Sequence, residues 1–157
     1  MDINIEIPKM EEQKEINELA KQVHKLHVNW RPDLFLDIEE VISRERLERL
    51  LKDKNIYVAK IGQKIVGYII IDIIEKKNSF MRYRKLLDVD TLCVDENYRG
   101  RGIGTKMLKF AQEIGRKNNC TDIYLTVNPE NEKAIKVYEN LGMRVKGISY
   151  MMEIKEE

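Results

Sequence analysis

The chain has 157 residues, of which 43% are hydrophobic and 35% are charged, and its formal net charge is only +1. This length and composition predict one folded domain over residues 1–157, large enough to bury a core of its own. The balanced charge gives no global support for a nucleic-acid partner, and the longest apolar run is too short to span a membrane, so we expect neither partner.

The cysteines and the N-terminus bear on the compartment. Cys93 and Cys120 fit no paired metal spacing, and one disulfide between them would be an unusual choice. The first residues lack the basic and apolar regions of a signal peptide. We therefore expect reduced thiols in a cytoplasmic protein.

The N-terminal part predicts a strand and then a helix. Isoleucine occupies every second position of residues 3–7, which predicts a half-buried strand. Apolar residues then recur every three or four positions from residue 10 to about residue 28, which predicts an amphipathic helix. His24 and His27 are three apart on it, but no third ligand lies nearby, so we expect no metal there.

An aromatic segment interrupts the helical pattern, because Pro32 excludes a helical conformation for the residue before it. Trp30 and Phe35 in this segment are weak candidates for contacting a substrate, and covering the core is the alternative. Ser43 then suits the N-cap of a short helix over residues 44–52.

Two β-branched runs, residues 55–61 and 64–74, flank Gly62-Gln63 and predict a hairpin. The basic segment over residues 76–85 follows, with interleaved aromatics. A solvated loop is the favoured interpretation, a patch for nucleic acid or an acidic substrate is the other, and Tyr83 is a weak substrate candidate.

The stretch over residues 88–105 predicts an anion site. It reads as a buried strand followed by alternating glycines and arginines and by a helix over residues 103–118. Glycines let the backbone approach a ligand closely, and the free N–H groups at a helix start attract anions. We therefore expect a ligand that carries phosphate.

The C-terminal part completes the sheet. A strand is predicted over residues 122–127, then a helix from its N-cap Asn131 to Leu141, then closing strands over residues 143–146 and 149–154. The sum is a mixed, mainly antiparallel α/β sheet of about six or seven strands with helices on both faces.

The glycine spacing excludes two common nucleotide loops. The third glycine of a G-x-G-x-x-G fingerprint would fall on Thr105, and residues 104–106 read Gly-Thr-Lys rather than the P-loop order Gly-Lys-Ser/Thr. What remains is Arg99-x-x-Gly102-x-Gly104. It resembles the R/Q-x-x-G-x-G/A signature of the GNAT superfamily of acetyl-CoA-dependent N-acetyltransferases.

A second motif carries the same resemblance. Asn131, Ala134, Tyr138 and Gly142 match the N-x-x-A-x-x-x-Y-x-x-x-G-F segment of that superfamily, with Met143 in place of its phenylalanine. The order of elements is also similar over nearly the whole chain.

The resemblance implies acetyl-CoA as co-substrate and no metal. It places the pyrophosphate against the backbone of the glycine loop, and the pantetheine arm in a gap where the strand at residues 88–94 splays from the strand at 122–127. Asn131 would contact the arm, cap its helix, or both. The implied cofactor residues are Leu92, Cys93, Val94, Arg99, Gly100, Arg101, Gly102, Ile103, Gly104, Thr105, Asn131 and Tyr138.

The resemblance also implies catalytic roles. Tyr138 occupies the position of the general acid that protonates the departing sulfur. Asp90 and Asp88 lie two apart on a strand and share a face, so either is a candidate base, directly or through water, and binding a cationic amine is the alternative. Strict alternation puts Cys93 on the opposite face, where a structural role is expected.

We therefore expect an N-acetyltransferase in which a small-molecule or peptide amine attacks acetyl-CoA directly. A non-catalytic acyl-CoA-binding module is the alternative of a different class. The resemblance also leaves a homodimer open as the assembly state.

Overall fold

The computed structural model describes residues 1–157 and contains one five-stranded sheet in the order β1-β2-β3-β4-β5. Neighbouring strands from β1 to β4 are antiparallel, whereas β4 and β5 are parallel and are joined by a crossover through α3. The strands are β1 (Asn4–Glu6), β2 (Ile56–Ile61), β3 (Lys64–Lys76), β4 (Arg84–Val94) and β5 (Asp122–Leu125); the helices are α1 (Gln13–Trp30), α2 (Arg44–Lys52), α3 (Ile103–Lys117) and α4 (Glu132–Asn140). The predicted mixed α/β class is confirmed.

The middle of the sheet is covered on both faces. All residues of β3 from position 65 to position 71 are buried, which suits a run of mostly β-branched side chains. On one face α1 and α2 bury Ile16 and Leu47 against β2 and β3. On the other face α3 buries Met107 and Ala111 against β3 and β4.

Side-chain caps fix where two helices begin. The Ser43 hydroxyl accepts a hydrogen bond from the Arg46 amide at 3.0 Å, as its sequence position predicts. The Asn131 side chain accepts one from the Ala134 amide at 3.3 Å. Gly142 follows α4 with a φ of 88°, a left-handed conformation that glycine adopts without strain.

The basic segment forms a connection rather than a packed element. Strands β3 and β4 are longer than the sequence pattern predicts, so only residues 77–83 remain as the loop between them. Its side chains are exposed, and Lys77 Nζ lies 5.4 Å from the centroid of the Tyr83 ring.

The number of strands differs from the predicted six or seven. Residues 143–157 contain no regular secondary structure, and every residue from Arg144 onward is exposed. The last backbone hydrogen bond runs from the Met143 amide to the Tyr138 carbonyl. The predicted closing strands are absent because alternation favours a strand only where an edge pairs with it, and this segment pairs with none.

None of the helices combines the length and the apolar character that crossing a bilayer would require.

Candidate active site

The glycine loop after β4 is held in place by its own arginines. Arg99 Nε donates to the Val94 carbonyl at 3.0 Å, and Arg101 Nη2 donates to the Asn97 carbonyl at 3.2 Å. The Arg101 guanidinium also lies 5.0 Å from the centroid of the Tyr98 ring. Both arginines remain exposed, so they order the loop and leave positive charge at its surface.

Helix α3 begins with unpaired backbone donors. Its N-cap is Gly102, which has no side chain to cap the helix and a φ of 76°. The first hydrogen bond of the helix is donated by the Lys106 amide to the Gly102 carbonyl at 3.0 Å. The amides of Ile103, Gly104 and Thr105 are therefore left for a ligand, at the positive end of the helix dipole.

Gly100 and Gly104, the two other glycines of the loop, differ in whether a residue with a side chain could replace them. Gly100 has a φ of 75°, so a side chain there would be strained whatever the space around it. A Cβ on Gly104 would lie 3.8 Å from Val94 Cγ2, an ordinary contact. The backbone conformation thus demands glycine at positions 100 and 102 and tolerates alanine at position 104.

Strands β4 and β5 separate next to this helix start. Their pairing ends at Val89 opposite Leu125, while β4 continues to Val94 and stays paired only with β3. The β4 edge that faces β5 is consequently free from residue 90 to residue 94. An extended ligand can pair with such an edge in the manner of an added strand.

A cavity of about 290 Å³ lies where the strands separate. Its walls come from α1, the following segment, α2, β3, β4, β5 and α4, and they include Leu92, Leu125, Asn131 and Tyr138. The strand that leads into the glycine loop and the helix that carries the second motif therefore meet at one cavity.

Tyr138 lies on α4 with its ring in the wall of this cavity. Burial raises the pKa of its hydroxyl above the ordinary tyrosine value, so the group is protonated at neutral pH. A protonated hydroxyl at a cavity wall is able to act as a general acid.

Asp88 and Asp90 border a second cavity of about 250 Å³, together with Arg46 and Asp72. Burial, and then the charges of Asp90 and Asp72, raise the pKa of Asp88 above the usual aspartate range. Asp90 is more exposed, and its Oδ2 lies 3.7 Å from Arg46 Nη2. Of the two carboxylates, Asp88 has the raised pKa, whereas Asp90 is the one that also lines the larger cavity with Tyr138.

A β-bulge at Asp90 changes which residues share a face. Ile70 pairs with Thr91 while Ile71 pairs with Val89, so Asp90 is the extra residue in β4. Before the bulge Val89 packs towards α3, whereas after it Leu92 and Val94 do.

Cys93 lies on the face of α1 and α2, among the same core side chains as Tyr68 and Ile70. The predicted placement opposite Asp88 and Asp90 is wrong, because strict alternation fails across the bulge. The Cys93 thiol donates to the Leu19 carbonyl at 3.3 Å, and burial raises its pKa to about 12. Such a thiol is a poor nucleophile, and only the backbone of Cys93 is available to a ligand.

The three weak substrate candidates are not brought together. Phe35 lines the larger cavity, with its ring 5.1 Å from that of His27. Trp30 contacts His27 from the end of α1 and lies outside the cavity lining, and Tyr83 lies in the exposed loop after β3.

The cavity also contains side chains that the motifs do not identify. Arg46 borders both cavities, and His24 and His27 line the larger one. Burial, and then the neighbouring His24, lower the pKa of His27, so this imidazole is neutral at physiological pH. His24 Nε2 lies 2.5 Å from the Leu36 carbonyl. No group of three or more potential metal ligands occurs in the chain.

Comparisons with known proteins agree with this geometry. A profile described as the acetyltransferase (GNAT) family matches residues 20–143. N-alpha-acetyltransferase 30 of Xenopus laevis is 34% identical over 86 residues, which are 55% of this chain and 30% of that protein. Spermine/spermidine N(1)-acetyltransferase of Bacillus subtilis is 37% identical over 60 residues, 38% of this chain and 40% of that protein.

A solved structure is similar over a longer span. A crystal structure of a mutant of the BH1408 protein from Bacillus halodurans has a TM-score of 0.89 and 27% identity, covering 99% of this chain and 100% of that one. The chain spans less than half the length of the two curated relatives above. The family match, in contrast, extends over most of the chain and includes both motifs, so the protein belongs to the acetyltransferase (GNAT) family.

Proposed function

We propose that this protein is an acetyl-CoA-dependent N-acetyltransferase that transfers the acetyl group directly to a primary amine of a small molecule or a peptide. The observation that carries the proposal is that three features lie along one path, from the start of α3, past Leu92, which Gly104 approaches, to the cavity beside Tyr138. They are the free amides at the start of α3, the free edge of β4, and the protonated hydroxyl of Tyr138.

The residues present fit acetyl-CoA. Diphosphate groups suit the amides of Ile103, Gly104 and Thr105, with Arg99 and Arg101 adding positive charge beside them. The amide-bearing arm suits the free edge over residues 92–94, with the Asn131 side chain nearby in the cavity wall. When bound, acetyl-CoA supplies an acetyl group activated as a thioester.

Side chains of the protein then accept one proton and donate another. Asp88, with its raised pKa, accepts a proton from the attacking amine, directly or through water, and Asp90 is the alternative acceptor. The Tyr138 hydroxyl donates a proton to the departing sulfur. Direct attack is favoured over an acetyl-cysteine intermediate because the only cysteine of β4 is buried and has a raised pKa.

The charges on the acceptor side favour an amine as the acceptor, and experiment must identify which class of amine it is. The carboxylates of Asp72, Asp88 and Asp90 attract an ammonium group. The guanidinium of Arg46 beside them repels an acceptor that carries many positive charges. The relatives are by name an N-alpha-acetyltransferase and a spermine/spermidine acetyltransferase, so a peptide α-amine and a polyamine are the first acceptors to test. Use of acetyl-CoA also fits a cytoplasmic location.

A thiol-release assay tests the proposal. Acetyl-CoA would be incubated with the protein and a panel of peptides with free N-termini, polyamines and aminoglycosides, with direct titration of acetyl-CoA in parallel. We expect turnover with at least one acceptor class and its loss in Tyr138→Phe. Tight binding without turnover across the panel would instead assign a non-catalytic acyl-CoA-binding module.

A further inference from the structure

The hairpin that β3 and β4 form extends beyond the rest of the sheet. β2 pairs with β3 only as far as Ile70, and β5 pairs with β4 only from Leu86 onward. Residues 73–85 therefore have no neighbouring strand outside the hairpin, and we name them the arm. At about 3.3 Å per residue, β3 continues roughly 17 Å past Ile71, its last buried residue.

The base of the arm lies beside the ends of two helices. Because β2 is antiparallel to β3 and β5 is parallel to β4, the starts of β2 and β5 are next to the arm. Exposed cations precede each of these strands, at the ends of α2 and α3: Lys52, Lys54, Arg116 and Lys117. The fold thus brings three separate parts of the sequence together, and we name residues 52–54, 75–85 and 116–122 the basic end.

The basic end holds most of the positive charge of the molecule. It contains nine Lys or Arg and three Asp or Glu, a net charge of +6, so the remaining residues carry −5 of the chain's total of +1. Three of the cations, Lys77, Arg84 and Arg116, pair with acidic side chains. Five others are exposed and lie in no ion pair: Lys52, Lys54, Lys76, Arg82 and Lys117. The nearly neutral total conceals a cationic surface that attracts a polyanion.

The tip of the arm adds exposed aromatic rings to these cations. The Asn78 side chain accepts hydrogen bonds from the amides of Phe80 at 3.3 Å and Met81 at 2.8 Å, and this turn leaves the Phe80 side chain 84% exposed. The ring of Tyr83 is also exposed and lies beside Lys77. In single-stranded nucleic acid, phosphates pair with such cations and unpaired bases stack on such rings.

We propose that the basic end binds single-stranded nucleic acid, with phosphates at the exposed cations and a base stacked on Phe80. This surface is separate from the proposed acetyl-CoA site, because the glycine loop follows Val94 at the other end of β4, roughly 30 Å from Arg84. The binding is therefore independent of whether the cavity is catalytic.

An anionic membrane suits this surface less well. Only Phe80 and Met81 are placed at the tip to enter a bilayer. The cations at the helix ends lie near the base of the arm, roughly 17 Å behind the tip, which exceeds the screening length of about 8 Å at physiological salt. They would contribute little at a membrane, whereas a flexible strand is able to contact both the tip and the base.

Fluorescence anisotropy with labelled oligonucleotides tests the proposal. The full chain would be titrated into oligouridine RNA, oligothymidine DNA and a blunt duplex of equal length at physiological salt, with saturating coenzyme A present to occupy the glycine loop. We expect a dissociation constant in the micromolar range for at least one single strand. Its logarithm should rise with the logarithm of salt concentration with a slope of roughly 3 to 4, as about five phosphate contacts require. The absence of binding to either single strand would overturn the proposal.

Charge reversal locates the binding surface. Lys76→Glu combined with Arg82→Glu should raise the dissociation constant at least about tenfold, and Lys52→Glu combined with Lys117→Glu should raise it several-fold. The matched control makes the same change of charge on the exposed side of α1, with Lys14→Glu combined with Lys25→Glu, and should stay within about threefold of wild type. Thermal unfolding would verify that each variant is folded. Equal losses in the arm and control variants would show that only total charge matters and would refute the site.

Two substitutions of Phe80 test the stacked base. Phe80→Leu keeps an apolar side chain but removes the ring, so it should raise the dissociation constant about fivefold or more, whereas Phe80→Trp should keep the wild-type value. The duplex should bind more weakly than the single strand, because its bases are already paired. Equal binding of duplex and single strand, or no effect of Phe80→Leu, would contradict the proposal. Preferential binding to vesicles that contain phosphatidylserine, retained in Phe80→Leu, would assign a membrane surface instead.

Discussion

The cofactor end and the acceptor end of the proposed site are formed by different kinds of groups. The cofactor end consists mainly of backbone: the amides of Ile103, Gly104 and Thr105 and the free β4 edge. The acceptor end consists of side chains from separate elements, with His27 on α1, Arg46 on α2, and Asp88 and Asp90 on β4.

This difference explains how specificity is distributed within the proposed site. Backbone amides at a helix start bind diphosphate without regard to the rest of the ligand, and their positions are fixed by a few glycines. Side chains from three elements can change one at a time, which alters the acceptor without disturbing the cofactor end. The following predictions test whether the two ends are separable in this way.

Tyr138→Phe should have the largest effect, because the hydroxyl is the proposed donor of the proton to the departing sulfur. Loss of a general acid should lower kcat by about 10²–10⁴-fold, with acetyl-CoA affinity within a few-fold of wild type. Since burial raises the pKa of Tyr138, the alkaline fall of wild-type kcat should begin above the ordinary tyrosine pKa. Steady-state kinetics across pH would check both statements.

Tyr124→Phe is the matched control for this substitution. Tyr124 lies on the neighbouring β5, with its hydroxyl 3.5 Å from the Thr126 hydroxyl and outside the cavity lining. Its kcat should stay within a few-fold of wild type. Equal losses in the two variants would show that the effect of Tyr138→Phe is not proton transfer.

The two aspartates should differ in their effect on the acid side of the pH profile. Asp88→Asn should lower kcat/KM by about 10²-fold, because a base that accepts the amine proton is lost. Activity requires the ionised carboxylate, so wild-type kcat/KM should rise as pH increases through the raised pKa of Asp88. The profile of kcat/KM against pH is the measurement.

Asp90→Asn should keep this acid limb and move it to lower pH, since one of the charges that raises the pKa of Asp88 is removed. If the limb disappears in Asp90→Asn and persists in Asp88→Asn, Asp90 is the base and the assignment is reversed.

Gly102→Ala and Gly104→Ala compare one chemical change at two positions of the cofactor end. Alanine at position 102 would be strained at a φ of 76°, at a cost of about 1–2 kcal/mol. If the loop changes conformation to relieve this strain, acetyl-CoA affinity should fall roughly tenfold. Gly104→Ala should bind within about threefold of wild type, because its Cβ has space. Calorimetric titration of acetyl-CoA checks the pair, and equal affinities would refute the loop assignment.

The sequence predicts the cofactor end of the site better than the acceptor end. The cofactor loop and the Asn131 cap depend on spacing along one segment, so their elements could be identified before the structure was known. The apolar periodicities likewise predict all four helices and all five strands, with errors mainly in the lengths of β3, β4 and β5.

The errors have physical causes beyond local pattern. The bulge at Asp90 depends on pairing with β3, so alternation alone put Cys93 on the wrong face. Residues 143–154 have strand periodicity, but strand formation needs a partner edge that the sequence does not specify. Arg46 enters the cavity from α2 through tertiary packing, and its sequence neighbourhood shows only a helix with charged residues.

Arg46→Met should have the smallest effect and should act on the acceptor end alone. The Arg46–Asp90 pair is partly exposed, so its removal is worth up to about 1 kcal/mol, or roughly fivefold in the acceptor KM, with acetyl-CoA affinity unchanged. The sign depends on the acceptor. For a polyamine KM should fall, because a like charge is removed and Asp90 is released; for an amine that carries a carboxylate it should rise. Arg49→Met, on the exposed side of α2, is the control and should leave KM unchanged. If Arg46→Met also leaves KM unchanged for both acceptors, Arg46 is not part of the acceptor end.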